Sequence, residues 1–261
     1  MTDGIWHMKR GDGPLVATAI HDGHEVREGL LELMSITESS RLREEDPFTG
    51  GWTDVAPTRV VGKRSRFEVD LNRPREKAVY RTPADAWGLE VWKDAIPEAE
   101  VDRSIQEYDE FYSALKELYT EKAARYGRFV VFDLHTYNHR RDGPSGAVAD
   151  PALNPQVNVG TGTLADRRLW ASVIDRFISD LGAFDFPGGR LDVRENVKFR
   201  GGNCGAWAHQ NFAGSACVLS VEVKKFFMDE WTGTPDPELL DAVGRAIAAT
   251  VPGVLEELER L

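Results

Sequence analysis

Residues 129–141 read FVVFDLHTYNHRR, and this stretch decides the fold that we predict for the chain. Its first half, Phe129 to Leu134, is an almost uninterrupted apolar run, which is typical of a strand buried on both faces of a parallel sheet. Directly after the run come His135, a second histidine and two arginines. Because reactive groups in such sheets collect beyond the carboxyl ends of the strands, the stretch predicts a functional site at the end of a central strand.

Strand-like and helix-like segments alternate along the chain on both sides of this stretch. Apolar runs at 15–20 and 216–227 predict two more strands, and the alternating segment Ser65–Pro74 predicts a fourth. Amphipathic patterns with start and stop signals predict three helices, at 100–127, 165–184 and 236–261. This alternation predicts one α/β domain over residues 1–261, with a three-layer architecture in which helices cover both faces of a mostly parallel mixed sheet.

Composition limits the class of protein. With 261 residues, 41% of them hydrophobic, the chain can bury a sizeable core as one domain, although two small domains would also fit. The net charge of −11 argues against nucleic acid and anionic membrane as partners, because clustered Lys and Arg bind phosphates. The two cysteines, Cys204 and Cys217, lack the spacing of a zinc motif. No segment has the pattern of a signal peptide or membrane span, so we expect a cytoplasmic protein.

Three polar side chains lie at or near the ends of the predicted strands. His21 follows the first apolar run directly, His135 follows the central run, and Glu222 lies within the last. Either histidine alone could equally be structural, but the shared strand-end position favours metal ligation. A glutamate is costly to bury in an apolar strand unless it is paired, and Lys224 or Lys225 could be its partner. Otherwise its position favours a functional role.

Six short segments occur in an order and spacing that carry a family resemblance. They are AIHDGHEVR, SRFEVDLNRP, FDLHTYNHR, NPQVNVGTG, KFRGG and LSVEVKKFFMDE. Between Pro14 and Gly233 the chain thereby resembles the N-formylglutamate amidohydrolase family. The resemblance implies a fold similar to that of the zinc carboxypeptidases and aspartoacylase, in the phosphorylase/hydrolase-like group. It also implies a hydrolase that uses one Zn²⁺ ion to remove the N-acyl group, N-formyl in this family, from a small N-acyl amino acid such as N-formylglutamate.

The resemblance implies a metal site with two histidines and an acid. His21 and His135 match the two metal-binding histidines of the family. Carboxypeptidases and aspartoacylase place a glutamate three residues after the first histidine, where this chain has His24. The formylglutamate family uses an acidic position in the next segment, which here is REEDPFTG, although these acids could also form a solvated loop. The preferred third ligand is Asp46, and the alternatives are Glu45, His24 and Glu25.

The resemblance also implies roles in binding and catalysis. Arg66 matches the arginine that points at the scissile carbonyl group, and Glu222 matches the general base. Asn72 and Arg73 match the pair that binds a substrate carboxylate, to which a guanidinium group can donate two parallel hydrogen bonds. Arg200 precedes two glycines and matches a basic residue near the other charged end of the substrate. The resemblance therefore implies a cationic crevice in an acidic protein.

Two further acids, Asp70 and Asp133, are expected to orient the ligating histidines, because an acid near such a histidine fixes its tautomer.

Two alternative functions remain open. One alternative function is a zinc hydrolase that acts on a different N-acyl amino acid or on a small peptide. The other is a ligand-binding relative without catalytic activity. Against it argues the joint presence of four residues, namely His21, His135, Arg66 and Glu222.

Overall fold

A seven-stranded mixed sheet forms the centre of the protein. The structure is a computed structural model, and it describes residues 4–261. The strands are β1 (Trp6–Lys9), β2 (Leu15–Ala19), β3 (Thr58–Gly62), β4 (Phe129–Tyr137), β5 (Val157–Gly160), β6 (Val193–Glu195) and β7 (Ala216–Lys224). They lie in the order β1-β3-β2-β4-β7-β5-β6. Four of the six strand pairs in the described chain are parallel, and the β1–β3 and β5–β7 pairs are antiparallel.

The described residues form seven α-helices, and the long ones at 98–126, 171–183 and 237–259 confirm the three helices predicted from amphipathic patterns. The helices are α1 (Leu30–Leu33), α2 (Glu38–Glu44), α3 (Thr49–Trp52), α4 (Glu98–Tyr126), α5 (Ala171–Ala183), α6 (Asn203–Asn211) and α7 (Pro237–Glu259). Helix α4 ends at Gly127, whose φ of 72° suits glycine. Asp236 caps α7 by accepting two backbone N–H groups of its first turn. Within residues 4–261, no helix is both long and apolar enough to cross a membrane.

Side chains of β4 alternate between two hydrophobic clusters, one on each face of the sheet. Val130, Phe132 and Leu134 pack in the cluster that contains the apolar sides of α5 and α7. Phe129 and Val131 pack in the cluster that contains those of α4 and α6. Because both faces of the strand are covered, all nine of its residues are buried. The predicted mostly parallel α/β sheet with helices on both faces is therefore confirmed.

The segment Ser65–Pro74 is not a strand, and the prediction made from its alternating pattern is wrong. Its backbone folds into successive turns, in which the N–H of Val69 donates to the carbonyl of Ser65 over 3.3 Å. The alternation has another cause, since Phe67, Val69 and Leu71 enter hydrophobic clusters while the intervening polar side chains point elsewhere. The sheet position beside β2 is taken instead by β3.

Candidate active site

The ends of three parallel strands bring the predicted reactive groups to one edge of the sheet. The pairing of β2 with β4 places Thr18 beside Asp133, and the pairing of β4 with β7 places His135 beside Glu222. His21 lies in the turn directly after β2. The hydroxyl group of Thr18 donates to Asp133 over 2.6 Å. The register of the sheet thus positions these side chains.

His21, Asp46 and His135 form a buried group that could hold a metal ion. One ligand atom from each residue lies within 4.8 Å of the others. Oδ2 of Asp46 lies 2.9 Å from Nδ1 of His135 and 3.4 Å from Nδ1 of His21. Two imidazole nitrogens and a carboxylate oxygen are ligands that suit Zn²⁺, and such a set leaves one tetrahedral position for water.

A second pair of acids faces the outer nitrogen of each ring. Oδ1 of Asp70 lies 2.8 Å from Nε2 of His21. Oδ2 of Asp133 lies 3.1 Å from Nε2 of His135, although these two atoms are not aligned for a hydrogen bond and have no other partner among the described residues. With a carboxylate at each Nε2, both Nδ1 atoms face Asp46. Histidines that bind metals commonly have such outer carboxylates, so the residues present fit a metal ion.

Burial and neighbouring charges have opposing effects on the pKa values of Asp46 and His135. Burial alone would raise the pKa of Asp46, but the hydrogen bonds and charges of His135 and His21 outweigh burial and hold the pKa well below its usual range. Burial alone would lower the pKa of His135, yet Asp133 and Asp46 raise it well above its usual value. The acids therefore stabilise positive charge at the point where the two rings and Asp46 converge, which is the requirement for a cation site.

The candidates for the third metal position point to different places. Glu25 is exposed. Glu45 is buried, but its carboxylate contacts His24, so these two candidates pair with each other. Asp46 lies against both histidine rings, and its backbone N–H donates to the carbonyl of His21 over 3.0 Å. Asp46 is thus the acid that the structure brings to the predicted metal site.

A cavity of about 230 Å³ opens onto His21, Asp46 and His135, which we call the metal group because they could hold a metal ion. Its lining includes the predicted residues Arg66, Asn72, Arg73 and Glu222. Two cationic residues to which the sequence analysis gave no role in binding, Arg141 and Lys225, also line it, together with the acid Glu44. Arg141 ends the stretch that follows β4, so its strand-end position was a signal that could have identified it.

Arg66 lies between the cavity and Asp70. Its Nη2 donates to Asp70 over 2.8 Å, its Nε donates to the hydroxyl group of Tyr80 over 3.2 Å, and its Nη1 donates to the carbonyl of Glu44 over 3.3 Å. A guanidinium group has five N–H donors, so two remain for another acceptor. Arg66 is therefore fixed in place and can still donate to a ligand in the cavity.

Asn72 and Arg73 lie in one turn but differ in how firmly they are held. Oδ1 of Asn72 accepts the backbone N–H of Cys204 over 2.9 Å, which ties this turn to the start of α6. Arg73 has only long contacts, to the carboxylate of Asp70 at 3.8 Å and to the carbonyl of Asp85 at 3.4 Å. Its side chain is one-third exposed. The guanidinium group of Arg73 is therefore available to an anion in the cavity.

Arg200 does not line the cavity. It is exposed, and its side chain covers Gly162, where an added Cβ atom would lie 2.8 Å from Cβ and 2.9 Å from Nε of Arg200. Phe199 and the two glycines that follow Arg200 line the cavity instead. The expectation that Arg200 lies near the substrate therefore stays a prediction.

Glu222 is partly buried, and neither of the lysines that were considered as its partners bonds to it. Lys224 donates to a backbone carbonyl over 2.7 Å, and Lys225 donates to two others over 2.6 and 2.7 Å. Burial raises the pKa of Glu222 to about 8, even though His135 acts in the opposite direction. A carboxyl group with such a pKa can release and recover a proton near neutral pH, as a general base must.

Comparison with known proteins places this site in a family. The model of the family described as N-formylglutamate amidohydrolase matches residues 13–226. The chain belongs to the N-formylglutamate amidohydrolase family. The matched residues include His21, Asp46, His135 and Glu222. The whole candidate site therefore lies within the part of the chain that the family model matches. Membership confirms the resemblance found in the sequence and supports a hydrolase role.

Two solved structures share the fold over nearly the whole chain. An N-formylglutamate amidohydrolase from Ralstonia eutropha JMP134 covers 98% of this chain and 98% of its own, at 17% identity and a TM-score of 0.73. A gene product of Agrobacterium tumefaciens covers 98% and 96%, at 18% identity and a TM-score of 0.66. Identities this low show the fold alone. A comparison with curated proteins found no significant match to this chain.

Proposed function

We propose that this protein is a zinc-dependent amidohydrolase that removes the formyl group from N-formylglutamate. The observation that carries the proposal is the convergence of His21, Asp46 and His135 beside Glu222 at the end of one cavity. Membership of the N-formylglutamate amidohydrolase family supports the substrate and the reaction. The cavity of about 230 Å³ has the dimensions of a site for a small molecule.

His21, Asp46 and His135 would hold one Zn²⁺ ion, with Asp70 and Asp133 behind the two rings. Zn²⁺ in such a site lowers the pKa of a water molecule towards about 7 and polarises a carbonyl group. The outer acids would keep both Nδ1 atoms directed at the ion, and they would increase the basicity of the imidazole ligands.

Glu222 would move the proton in the reaction. It would accept a proton from the attacking water and then deliver this proton to the nitrogen of the leaving amine, so that the C–N bond breaks and formate and glutamate are released. Burial raises the pKa of Glu222 to about 8, and this supports the proposed delivery step. A cation held by the neighbouring His135 would stabilise the carboxylate, which suits the first step.

The remaining residues would bind and orient the substrate. Arg66 has two free N–H donors and would stabilise the negative charge that develops on the carbonyl oxygen. Asn72 and Arg73 would bind the α-carboxylate, because a guanidinium group and an adjacent amide offer matched donors to its two oxygens. Both side chains line the cavity.

Hydrolysis of N-formyl-L-glutamate by the zinc-loaded protein tests the proposal. We expect release of formate and glutamate by the parent, and we expect Glu222→Gln to lower kcat by roughly a hundredfold or more while it keeps the zinc content and the KM of the parent. Glu25→Gln makes the same change at an exposed position and should leave kcat unaltered. A parent without turnover would contradict the proposed substrate, and an active Glu222→Gln variant would contradict the proposed base.

A further inference from the structure

Arg141 lies at the rim of the active-site cavity with its charge largely unpaired. It lines the cavity, and its side chain is 57% exposed. The nearest carboxylate recorded for it, that of Glu44, lies 3.9 Å away, whereas Glu44 makes a shorter contact of 2.7 Å with Arg43. A long, exposed ion pair contributes little, so Arg141 can exchange it for a closer anion at little cost.

The loop that carries Arg141 is held firmly one residue earlier. The backbone N–H of Arg140 donates to the buried carboxylate of Glu230 over 3.0 Å. The carbonyl of Arg140 accepts from the indole N–H of Trp231 over 2.9 Å and from Arg43 over 3.2 Å. These contacts fix the backbone at the rim, while the guanidinium group of Arg141 stays only weakly paired. Less order is then lost when Arg141 binds a ligand.

The four cationic residues of the described cavity lining differ in their existing partners. Arg66 is bound to Asp70, and Lys225 is bound to backbone carbonyls. Arg73 and Arg141 have only contacts of 3.8 and 3.9 Å to carboxylates. The cavity therefore presents two weakly paired guanidinium groups, and this number matches the two carboxylates of a dicarboxylic amino acid.

We infer that Arg141 binds the side-chain carboxylate of the substrate and so selects N-acyl dicarboxylic amino acids over neutral ones. The inference rests on the proposed function, in which Asn72 and Arg73 hold the α-carboxylate. A planar guanidinium group donates two parallel hydrogen bonds to a carboxylate, whereas an amide of the same shape accepts only one and carries no charge. In a protein of net charge −11, local cations at the mouth of the cavity also attract an anionic substrate.

The kinetic test compares N-formyl-L-glutamate with N-formyl-L-glutamine, which differ only in the side-chain group. We expect the parent to prefer the glutamate compound in kcat/KM, and Arg141→Ala to lower kcat/KM roughly 10- to 100-fold for that compound alone. Arg141→Lys should restore part of the preference, because an ammonium group cannot make the paired contact. Arg140→Ala is the matched control, since this neighbouring side chain lies outside the cavity lining, and it should keep the preference.

Calorimetric binding of L-glutamate and L-glutamine to the same zinc-loaded proteins separates this inference from the proposed function. A preference for glutamate that disappears in Arg141→Ala supports the role of Arg141, even if no formyl compound is hydrolysed. A preference that survives in Arg141→Ala, or is absent from the parent, overturns this role, and the proposed function still stands if N-formylglutamate is hydrolysed. Loss of the preference in Arg200→Ala instead would assign the contact to Arg200.

Discussion

Glu44, Glu45 and Asp46 follow one another at the end of α2, and their side chains reach three different places. Glu44 lines the cavity, Glu45 contacts His24, and Asp46 lies against His135 and the other histidine of the metal group. Glu45 has an extended backbone (φ −81°, ψ 176°), so the chain changes direction where the helix ends. These neighbours in sequence therefore differ in environment, and of the three acids Asp46 is the one that lies with both histidines in the group that could hold a metal ion.

At the residue scale we expect Asp46→Ala to lower the affinity for Zn²⁺ by more than about a hundredfold, because loss of a direct ligand should exceed the loss of an outer partner. His21→Ala and His135→Ala should have the same effect. Glu25→Ala is the control, since Glu25 is exposed, and it should bind zinc like the parent. Competition with a chromogenic chelator measures these affinities. Full zinc affinity in Asp46→Ala, with loss in Glu25→Ala, would contradict the assignment.

The pKa of Glu222 predicts how pH affects the metal-free protein. Burial raises this pKa from 4.5 to about 8, so the folded protein keeps a proton that the unfolded chain releases near pH 4.5. The contribution of Glu222 to the stability of the parent should therefore fall as pH rises between these values. Glu222→Gln lacks this titration, so its Tm should exceed that of the parent by an amount that grows from near zero at pH 4.5 to a maximum above pH 8. A Tm difference that is constant over this range would contradict the raised pKa.

At the element scale, the turns of Ser65–Pro74 direct polar side chains differently from the way a strand would direct them. Asp70 is the centre of this segment, since it contacts His21 and accepts from Arg66 and from the hydroxyl group of Tyr80. In a strand, successive side chains would lie on opposite faces of the sheet. The turns instead bring Arg66, Asn72 and Arg73 to one cavity.

The same turns predict a distinct effect for Arg73. We expect Arg73→Ala to raise KM for N-formyl-L-glutamate roughly 10- to 100-fold, since a charged hydrogen bond to the α-carboxylate is lost, and Arg73→Lys to recover only part of it. Arg75→Ala is a matched control two residues away, because Arg75 is exposed and pairs with Asp109. Steady-state kinetics with the α-amide of the substrate provide the decisive comparison. Equal losses from amidation in the parent and in Arg73→Ala would show that Arg73 does not contact this carboxylate.

At the scale of the whole molecule, the metal group joins segments that are far apart in the chain. His21 follows β2, Asp46 follows α2, and His135 lies in β4. An ion bound by all three would link these segments in the folded state alone. Because the unfolded chain holds no preformed site, the binding energy of the ion adds to the stability of the fold.

Removal of zinc should therefore lower the Tm of the whole protein. With free zinc at about 1,000 times its Kd, the stabilisation is about 4 kcal/mol, which corresponds to a Tm shift of roughly 8 to 16 °C for a domain of this size. Thermal unfolding with and without a chelator measures the shift. His135→Ala should show almost no response to the chelator, and Glu25→Ala should respond like the parent. An equal response in His135→Ala and the parent would show that zinc stabilises the protein elsewhere.

Local patterns determined the elements of the fold. An apolar run such as Phe129–Leu134 is stable only where both faces are covered, and a glycine such as Gly127 ends a helix because it adopts a positive φ at little cost. Both properties depend on neighbours in sequence, so β2, β4, β7 and the three long helices were predicted. The strand-end positions of His21, His135 and Glu222 followed from the same runs.

Tertiary structure decided where loop side chains point. The alternation of Ser65–Pro74 is compatible with a strand or with turns, and distant partners of its backbone and side chains select the turns. Arg141 reaches the cavity because Glu230 and Trp231 hold its loop, whereas Arg200 covers Gly162. A loop side chain is directed by contacts with residues remote in sequence, and no pattern of neighbouring residues encodes those contacts.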